Sequence, residues 1–327
     1  MELSIESSIS FNGLVHGSKD LSGVAVMGSY LITASDEGHV VQILKKQSDT
    51  EYSVLYRYSL LDGSLLSNHL NKEPELDIEA IAVEGETVYA IGSHSAKRKK
   101  VLPSNPENRS YADNIKRLNT TSEEKTRRVV YKFTLGDDGA INSKIESISL
   151  WKAINKFPLL QPFSAIPSKE NGIDIEGLAS SEGKLFVGFR GPVLRENWVP
   201  VIVTEFNKPT KHAELRFVNL GGLGIRDLVA ISPDYFLILA GPVGDGPGDY
   251  KLYSWNGRDC IPDSNNTLGQ VNDLGTIPTK SGNKAEGLAV LPSTEEDYLN
   301  LLVVFDSAHN GGTATMTLNK NNITISC

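Results

Sequence analysis

Residues 176–180 read Glu176-Gly177-Leu178-Ala179-Ser180, and variants of this phrase recur four more times along the chain. The other copies are Ser22-Gly23-Val24-Ala25-Val26, Glu79-Ala80-Ile81-Ala82-Val83, Asp227-Leu228-Val229-Ala230-Ile231 and Glu286-Gly287-Leu288-Ala289-Val290. A turn and a second apolar run follow each copy within a few residues. A strand pair that recurs about every 50 to 60 residues is typical of a radial repeat fold, the β-propeller.

The spacing of the copies decides the number of blades. The copies begin at residues 22, 79, 176, 227 and 286, so the interval between the second and third is by far the longest. This interval holds two further strand candidates, residues 128–133 and 145–150, which complete one blade. Its excess length lies in a polar insertion at residues 97–127 and a short helical insertion at residues 151–163. The sequence therefore predicts an all-β fold, a single β-propeller domain over residues 1–327, with five four-stranded blades and six as the alternative.

The first strand candidate has no partner in its own repeat unit. Residues 3–9 alternate apolar and polar side chains and precede the first copy of the phrase. An unpaired strand at the edge of a sheet exposes backbone hydrogen-bonding groups. We therefore expect this N-terminal strand to complete the last blade and to tie the two ends of the chain together.

Composition limits the partners and the compartment. The chain has 32 basic and 40 acidic residues, a net charge of −8, which argues against nucleic-acid and acidic-membrane partners. Cys260 and Cys327 have no CxxC partner, so no disulfide framework can form. The N-terminus does not resemble a secretory signal, and no apolar run reaches membrane-spanning length. We expect a cytoplasmic protein, and the sequence identifies no protein partner.

Acidic residues open four of the five copies of the phrase. An Asp and a Glu two residues apart on a strand point to the same side, and equivalent residues of a propeller face the central channel. The carboxylates predicted to meet in the channel are Asp77, Glu79, Asp174, Glu176, Asp227 and Glu286.

Carboxylates that converge on one point repel each other unless a positive charge neutralises them. A divalent cation, calcium first, would be held by carboxylate and carbonyl oxygens. Ion pairs with Arg190, Arg195, Arg226 and Lys284 would neutralise the acids without a metal. Each acid could also accept hydrogen bonds from backbone amides of the neighbouring blade. The sequence leaves these three arrangements open.

Four further residues are candidates for catalysis or substrate binding. His94 and His309 each follow the second strand of a blade, where a histidine could act as a general base. Arg190 and Arg195 lie near a strand exit and could bind an anionic group of a small-molecule substrate. The run Lys97-Arg98-Lys99-Lys100 is interpreted as a solvated part of the insertion. The absence of a Gly-x-Ser-x-Gly elbow argues against a serine hydrolase.

Two segments and the helix-like stretch before them resemble a known family. Asp174-Ile175-Glu176-Gly177-Leu178-Ala179 and Gly188-Phe189-Arg190-Gly191-Pro192-Val193-Leu194-Arg195 look like the signature of the domain-of-unknown-function 3616 family. The acid-x-acid-glycine-leucine-alanine phrase is more distantly similar to esterase-like phytase and gluconolactonase-type propellers. That similarity implies a channel metal and hydrolysis of an ester or phosphoester. The chain departs from it at Ser22, at Lys284 and at Asp227, which has no acid two residues earlier.

The residues support two functional hypotheses. The first is a metal-dependent hydrolase of a small ester or phosphoester at the channel mouth. In it the six carboxylates hold the cation or polarise water, Arg190 and Arg195 bind the substrate, and His94 or His309 moves the proton. The second is a non-catalytic binding or scaffold propeller that uses its rim loops, including the 97–127 insertion. Pairing of the acids with arginines, in place of convergence within metal-ligand reach, would favour the second hypothesis.

Overall fold

The structure is a computed structural model that describes residues 3–66, 74–103, 110–264, 269–279, 283–308 and 312–323. Over these residues it is an all-β, five-bladed propeller. The innermost strand of each blade contacts the innermost strand of the next, and the fifth contacts the first, so the ring is closed. The predicted fold class is confirmed, with five blades and not six.

The first two blades contain most of the irregular elements. The first blade has strands β1 (Ser10–Asn12), β2 (Leu21–Met27), β3 (Tyr30–Ser35), β4 (Val40–Ser48) and β5 (Glu51–Ser59). The second begins with β6 (Ile78–Glu84) and β7 (Thr87–Gly92). The chain then forms β8 (Ala96–Arg98), helix α1 (Tyr111–Leu118) and β9 (Thr121–Glu123) before it returns to the blade with β10 (Val130–Thr134) and β11 (Glu146–Ile148).

The remaining blades are more regular. Helix α2 (Trp151–Ile154) precedes the third blade, which has β12 (Asp174–Ser181), β13 (Lys184–Gly191), β14 (Trp198–Thr204) and β15 (Glu214–Asn219). The fourth has β16 (Gly224–Ser232), β17 (Tyr235–Gly241), β18 (Tyr250–Trp255) and β19 (Val271–Ile277). The fifth has β20 (Lys284–Leu291), β21 (Tyr298–Asp306) and β22 (Ala314–Asn319). Short 3-10 turns lie at Lys125–Arg127, Gln161–Phe163, Ser168–Glu170, Arg195–Asn197 and Lys320–Asn322.

The N-terminal segment fills the open edge of the fifth blade. Ser7 pairs with Thr315 of β22 in an antiparallel bridge. The amide of Glu6 donates to the carbonyl of Thr315 at 2.9 Å, and the amide of Thr315 donates to the carbonyl of Ser7 at 2.9 Å. The predicted closure by the N-terminal strand is confirmed, and the ring is held shut by backbone hydrogen bonds.

The apolar core is divided among the five junctions between neighbouring blades. Alternate side chains of each inner strand enter opposite junctions: Leu178 packs against the second blade, whereas Ala179 packs against the fourth. Glycine occurs where the inner strands approach most closely, because a Cβ on Gly177 would lie 2.6 Å from Ile225. This packing fixes the position of every residue at the channel end of the inner strands. No helix in the described ranges is long and apolar enough to cross a membrane.

Candidate functional site

A β-bulge recurs at the start of every inner strand. In each blade the pairing with the second strand skips one residue of the inner strand. The skipped residues are Ser22, Glu79, Glu176, Arg226 and Glu286. A bulge re-aims its extra side chain away from the regular alternation of the strand. These five equivalent positions, which we call the bulge ring, surround the channel.

The register corrects the alignment of the fourth copy. Arg226, and not Asp227, is equivalent to the three glutamates, and Asp227 occupies the position that is glycine in three other blades. The side chain of Asp227 accepts hydrogen bonds from the amides of Leu228 and Leu288, both at 2.7 Å. Burial raises the pKa of Asp227 well above its usual value, and these amide bonds oppose the rise. Asp227 therefore links the fourth blade to the fifth.

Two arginines, one of them Arg226 of the ring itself, neutralise two of the three glutamates in the bulge ring. Arg190 on β13 contacts Asp174 and also Glu176, the latter at 2.5 Å between Nη1 and Oε1. Arg226 contacts Glu286 and also Glu176, the latter at 3.0 Å between Nε and Oε2. Glu176 thus lies between two guanidinium groups. Burial raises the pKa values of Asp174 and Glu286 to about 7, although the nearby arginines act to lower them.

A third arginine holds Asp77 in the second blade. Arg127 Nη1 lies 2.7 Å from Asp77 Oδ2, and the Ser93 hydroxyl donates to the same oxygen. Arg127 also contacts Glu75 and Glu124. Sequence reasoning missed Arg127 because it comes from the non-repeating insertion. The available signal was its place directly before the strand candidate that begins at residue 128.

Glu79 and Asp36, which are half-buried, differ from the fully buried acids of the channel. Neither has a hydrogen bond or an ion pair within the described part of the chain, and both line the channel mouth. Burial, followed by the charges of Asp77 and Glu176, raises the pKa of Glu79 well above its usual value. Burial, followed by nearby acids, raises the pKa of Asp36 to about 8. A pKa of about 8 keeps the carboxyl group of Asp36 mostly protonated at neutral pH, and the shift at Glu79 has the same direction. Sequence reasoning missed Asp36, although it follows the second strand of its blade.

The channel mouth forms a cavity of about 800 Å³. Its floor is the acidic end of the inner strands, including Glu79, Asp174, Glu176 and Glu286. One wall comes from the insertion after β7 and includes residues 97–100. Below the floor, apolar side chains of all five inner strands surround a space of only about 130 Å³. The channel is thus wide and charged at one end and narrow and apolar further in.

His94 and Arg195 do not line this cavity. His94 is fully buried, its Nδ1 donates to the carbonyl of Gly92 at 2.8 Å, and its Nε2 accepts from the amide of Leu150 at 3.2 Å. Both ring nitrogens are occupied, and burial lowers the pKa of His94 to about 4, so the ring is a neutral structural link between β7 and α2. Arg195 is exposed in its 3-10 turn and does not line the cavity. His309 lies outside the described residues.

The acids do not form a metal cage within the described ranges. No group of three or more His, Cys, Asp or Glu side chains there is arranged to hold a metal ion. The reason is visible in the contacts, because guanidinium groups occupy the carboxylate oxygens of Asp77, Asp174, Glu176 and Glu286, and backbone amides occupy those of Asp227. The residues present therefore fit the ion-pair arrangement and not the expected calcium site.

Several solved structures are similar to this chain at low identity. Glutaminyl cyclase from Myxococcus xanthus is 10% identical, with a TM-score of 0.47 and coverage of 97% of this chain and 96% of that chain. The exo-beta-1,3-galactanase 1,3Gal43A from Clostridium thermocellum is 10% identical, with a TM-score of 0.46 and coverage of 97% of this chain and 62% of that chain. The periplasmic gluconolactonase PpgL from Pseudomonas aeruginosa is 12% identical, with a TM-score of 0.36 and coverage of 87% of this chain and 65% of that chain.

These likenesses are too distant to transfer an activity. Among curated proteins, no match is found. The family match is the informative comparison, because it covers residues 20–316 and so includes the innermost strand of every blade and the whole bulge ring. The chain belongs to the family described as "Protein of unknown function (DUF3616)".

Proposed function

We propose that this protein hydrolyses a small ester or phosphoester at the channel mouth and that Glu79 is its general acid. One observation carries the proposal. Glu79 is the glutamate of the bulge ring that faces the cavity with no cationic partner within the described residues, whereas Glu176 and Glu286 are held by arginines. A carboxyl group kept protonated in a concave site can donate its proton to a leaving group.

The neighbouring Asp174 supplies the complementary base. Its pKa of about 7 leaves a large ionised fraction at neutral pH, and Arg190 holds its carboxylate in place. Asp174 accepts a proton from water as the water oxygen bonds to the carbonyl carbon or phosphorus of the substrate. The bond to the leaving-group oxygen breaks, and that oxygen takes the proton of Glu79. A proton then returns from Asp174 to Glu79 through solvent, which restores both groups.

This mechanism contains no step through a metal. A divalent cation, calcium first, remains the expectation from the distant resemblance, but arginines already contact the acids that would hold it. An anionic small molecule as substrate, the absence of nucleic-acid and membrane partners, and a cytoplasmic location stay predictions.

Turnover of chromogenic substrates tests the proposal. Wild-type protein is assayed with p-nitrophenyl acetate, p-nitrophenyl phosphate and bis-p-nitrophenyl phosphate, beside Glu79→Gln and the control Glu86→Gln. Glu86 is exposed in the turn between β6 and β7, so its substitution makes the same chemical change away from the cavity. We expect kcat to fall about 100-fold or more in Glu79→Gln, in line with the loss of a general acid, and to remain unchanged in Glu86→Gln. Equal turnover by both variants would refute the assignment.

A non-catalytic binding propeller is the second candidate. The observation that favours it is the number of channel acids engaged in ion pairs, which gives them a structural role. Under this alternative the wild type turns over none of the three substrate classes. The hydrolase proposal requires turnover of at least one class that depends on Glu79.

A further inference from the structure

The described residues of the insertion after β7, residues 97–103 and 110–127, form a wall of the cavity. Strands β8 and β9 pair over three residues on each side. Ser110 and Asp113 form a capping box at the start of α1. The Asn114 side chain bonds both the amide and the carbonyl of Leu102, at 3.2 and 3.1 Å. The basic run at residues 97–100 is therefore held on a defined hairpin at the mouth, and its interpretation as a merely solvated segment is incomplete.

Two of the cations on this wall, Lys97 and Arg98, are neutralised by specific acids. Lys97 lies 2.7 Å from Glu124. Arg98 forms a bidentate pair with Glu170, at 2.5 and 2.8 Å. These pairs and the pair between Lys169 and Asp245, at 2.7 Å, connect the rim loops of the second, third and fourth blades. The acids on this side are thus already engaged.

Three further cations on the same wall form no close ion pair with a described residue, although the charge of Lys100 helps to lower the pKa of Asp245. Lys99, Lys100 and Arg117 line the cavity and have no ion pair within the described ranges. Arg117 is oriented by a hydrogen bond of 2.6 Å from its Nε to the carbonyl of Lys100, which leaves its two terminal nitrogens free to donate. Two flexible ammonium groups and one oriented guanidinium group are a suitable set of donors for an anion.

Another side of the cavity is acidic. Asp20 and Glu37 of the first blade and Asp306 of the fifth blade line it, and Lys284 is paired with Asp306 at 3.0 Å. A ligand with one anionic end would be repelled by this side and attracted to the insertion wall. The charge distribution therefore directs the anionic end of a ligand to the insertion wall.

We propose that Lys99, Lys100 and Arg117 form an anion-binding subsite and that the substrate carries a phosphate or carboxylate group there. This inference rests on the proposed function, because it names the substrate class of the same cavity. The anionic end binds at the insertion wall, and the scissile bond lies over Glu79 and Asp174. The cavity of about 800 Å³ is large enough for both ends of one small ligand. In this proposal, three residues of the insertion bind the anionic group of the substrate, the role that the sequence predicted for Arg190 and Arg195.

Calorimetric titration with inorganic phosphate, and separately with acetate, tests the subsite without turnover. The test variant is Lys99→Gln with Lys100→Gln, because both side chains are exposed and their loss leaves the backbone pairing of the hairpin intact. The control is Lys144→Gln with Lys152→Gln, two exposed lysines outside the cavity, which makes the same change in net charge. Melting temperatures of both variants establish that they are folded.

We expect saturable binding of one anion by the wild type and the control, weakened about tenfold or more in the test variant. Binding of phosphate alone assigns a phosphate group to the ligand, and binding of acetate alone assigns a carboxylate. No saturable binding of either anion, or equal affinity in wild type and test variant, would overturn the subsite. Anion binding without any turnover would refute only the proposed hydrolase, and Glu79-dependent turnover without anion binding would refute only the subsite.

Discussion

Replacement of Arg226 by methionine is the most demanding test of the channel network. Arg226 is 3% exposed and contacts Glu176 and Glu286. Its loss removes a positive charge that stabilises the ionised form of these two buried carboxyl groups. Removal of one partner from a buried ion pair costs about 3 to 5 kcal/mol. Protonation limits the cost, because Glu286 has a pKa of about 7 even with Arg226 present. We expect a loss of about 3 kcal/mol at pH 6.

The pH dependence distinguishes this mechanism from lost packing. Without Arg226 the pKa of Glu286 rises further above its unfolded value, so the folded state retains a proton that the unfolded state releases. Stability is then lost as pH rises towards the folded pKa, by up to about 1.4 kcal/mol per pH unit. The loss in Arg226→Met should therefore be larger at pH 8 than at pH 6.

The assay is urea unfolding followed by tryptophan fluorescence at both pH values. The control is Lys251→Met, which breaks the exposed pair between Lys251 and Asp273 and should cost less than about 1 kcal/mol. Addition of Glu286→Gln to Arg226→Met should recover part of the stability, and this double variant remains measurable if the single variant does not fold. A loss in Arg226→Met no larger than the control, or one that is equal at pH 6 and pH 8, would refute the reasoning.

Two further residues test the structural roles assigned above. Asp227→Ala leaves the buried amides of Leu228 and Leu288 without an acceptor and should cost about 2 to 4 kcal/mol in urea unfolding, whereas Asp234→Ala, at an exposed turn position, should be neutral. A cost equal to that of Asp234→Ala would contradict the link between blades. The pKa of His94 falls from 6.5 to about 4 in the folded state, so the unfolded state binds a proton first and stability declines as pH falls from 6.5 to 4, by about 3 kcal/mol. His94→Gln should remove that part of the pH dependence, and an unchanged profile would show that the ring is not the titrating group.

The repeat made the fold readable from the sequence. Five copies of one phrase, two insertions and an unpartnered first strand were sufficient to predict the ring, its blade number and its closure. Each of these features depends on the local alternation of apolar and polar side chains, and on the exposed backbone groups that favour pairing of an edge strand. The placement of acids at one end of the channel follows from the same periodicity.

The site was less readable because its decisive features are not periodic. A bulge adds one residue to each inner strand, and nothing in the phrase Asp227-Leu228-Val229-Ala230 shows that Arg226 is the residue added in the fourth blade. Arg127 reaches Asp77 from an insertion 50 positions away in the sequence. The environment of His94 depends on the amide of Leu150, which comes from a different element. Long-range contacts of this kind decide whether an acid or a histidine is free to react.

Arginines, and not a metal ion, neutralise the channel acids Asp77, Asp174, Glu176 and Glu286. Calorimetric titration of the metal-stripped protein with calcium chloride, beside Glu176→Gln, tests this arrangement. We expect no saturable calcium binding by either protein and no calcium-dependent rise in melting temperature. Binding of one calcium ion per chain by the wild type, lost in Glu176→Gln, would contradict it.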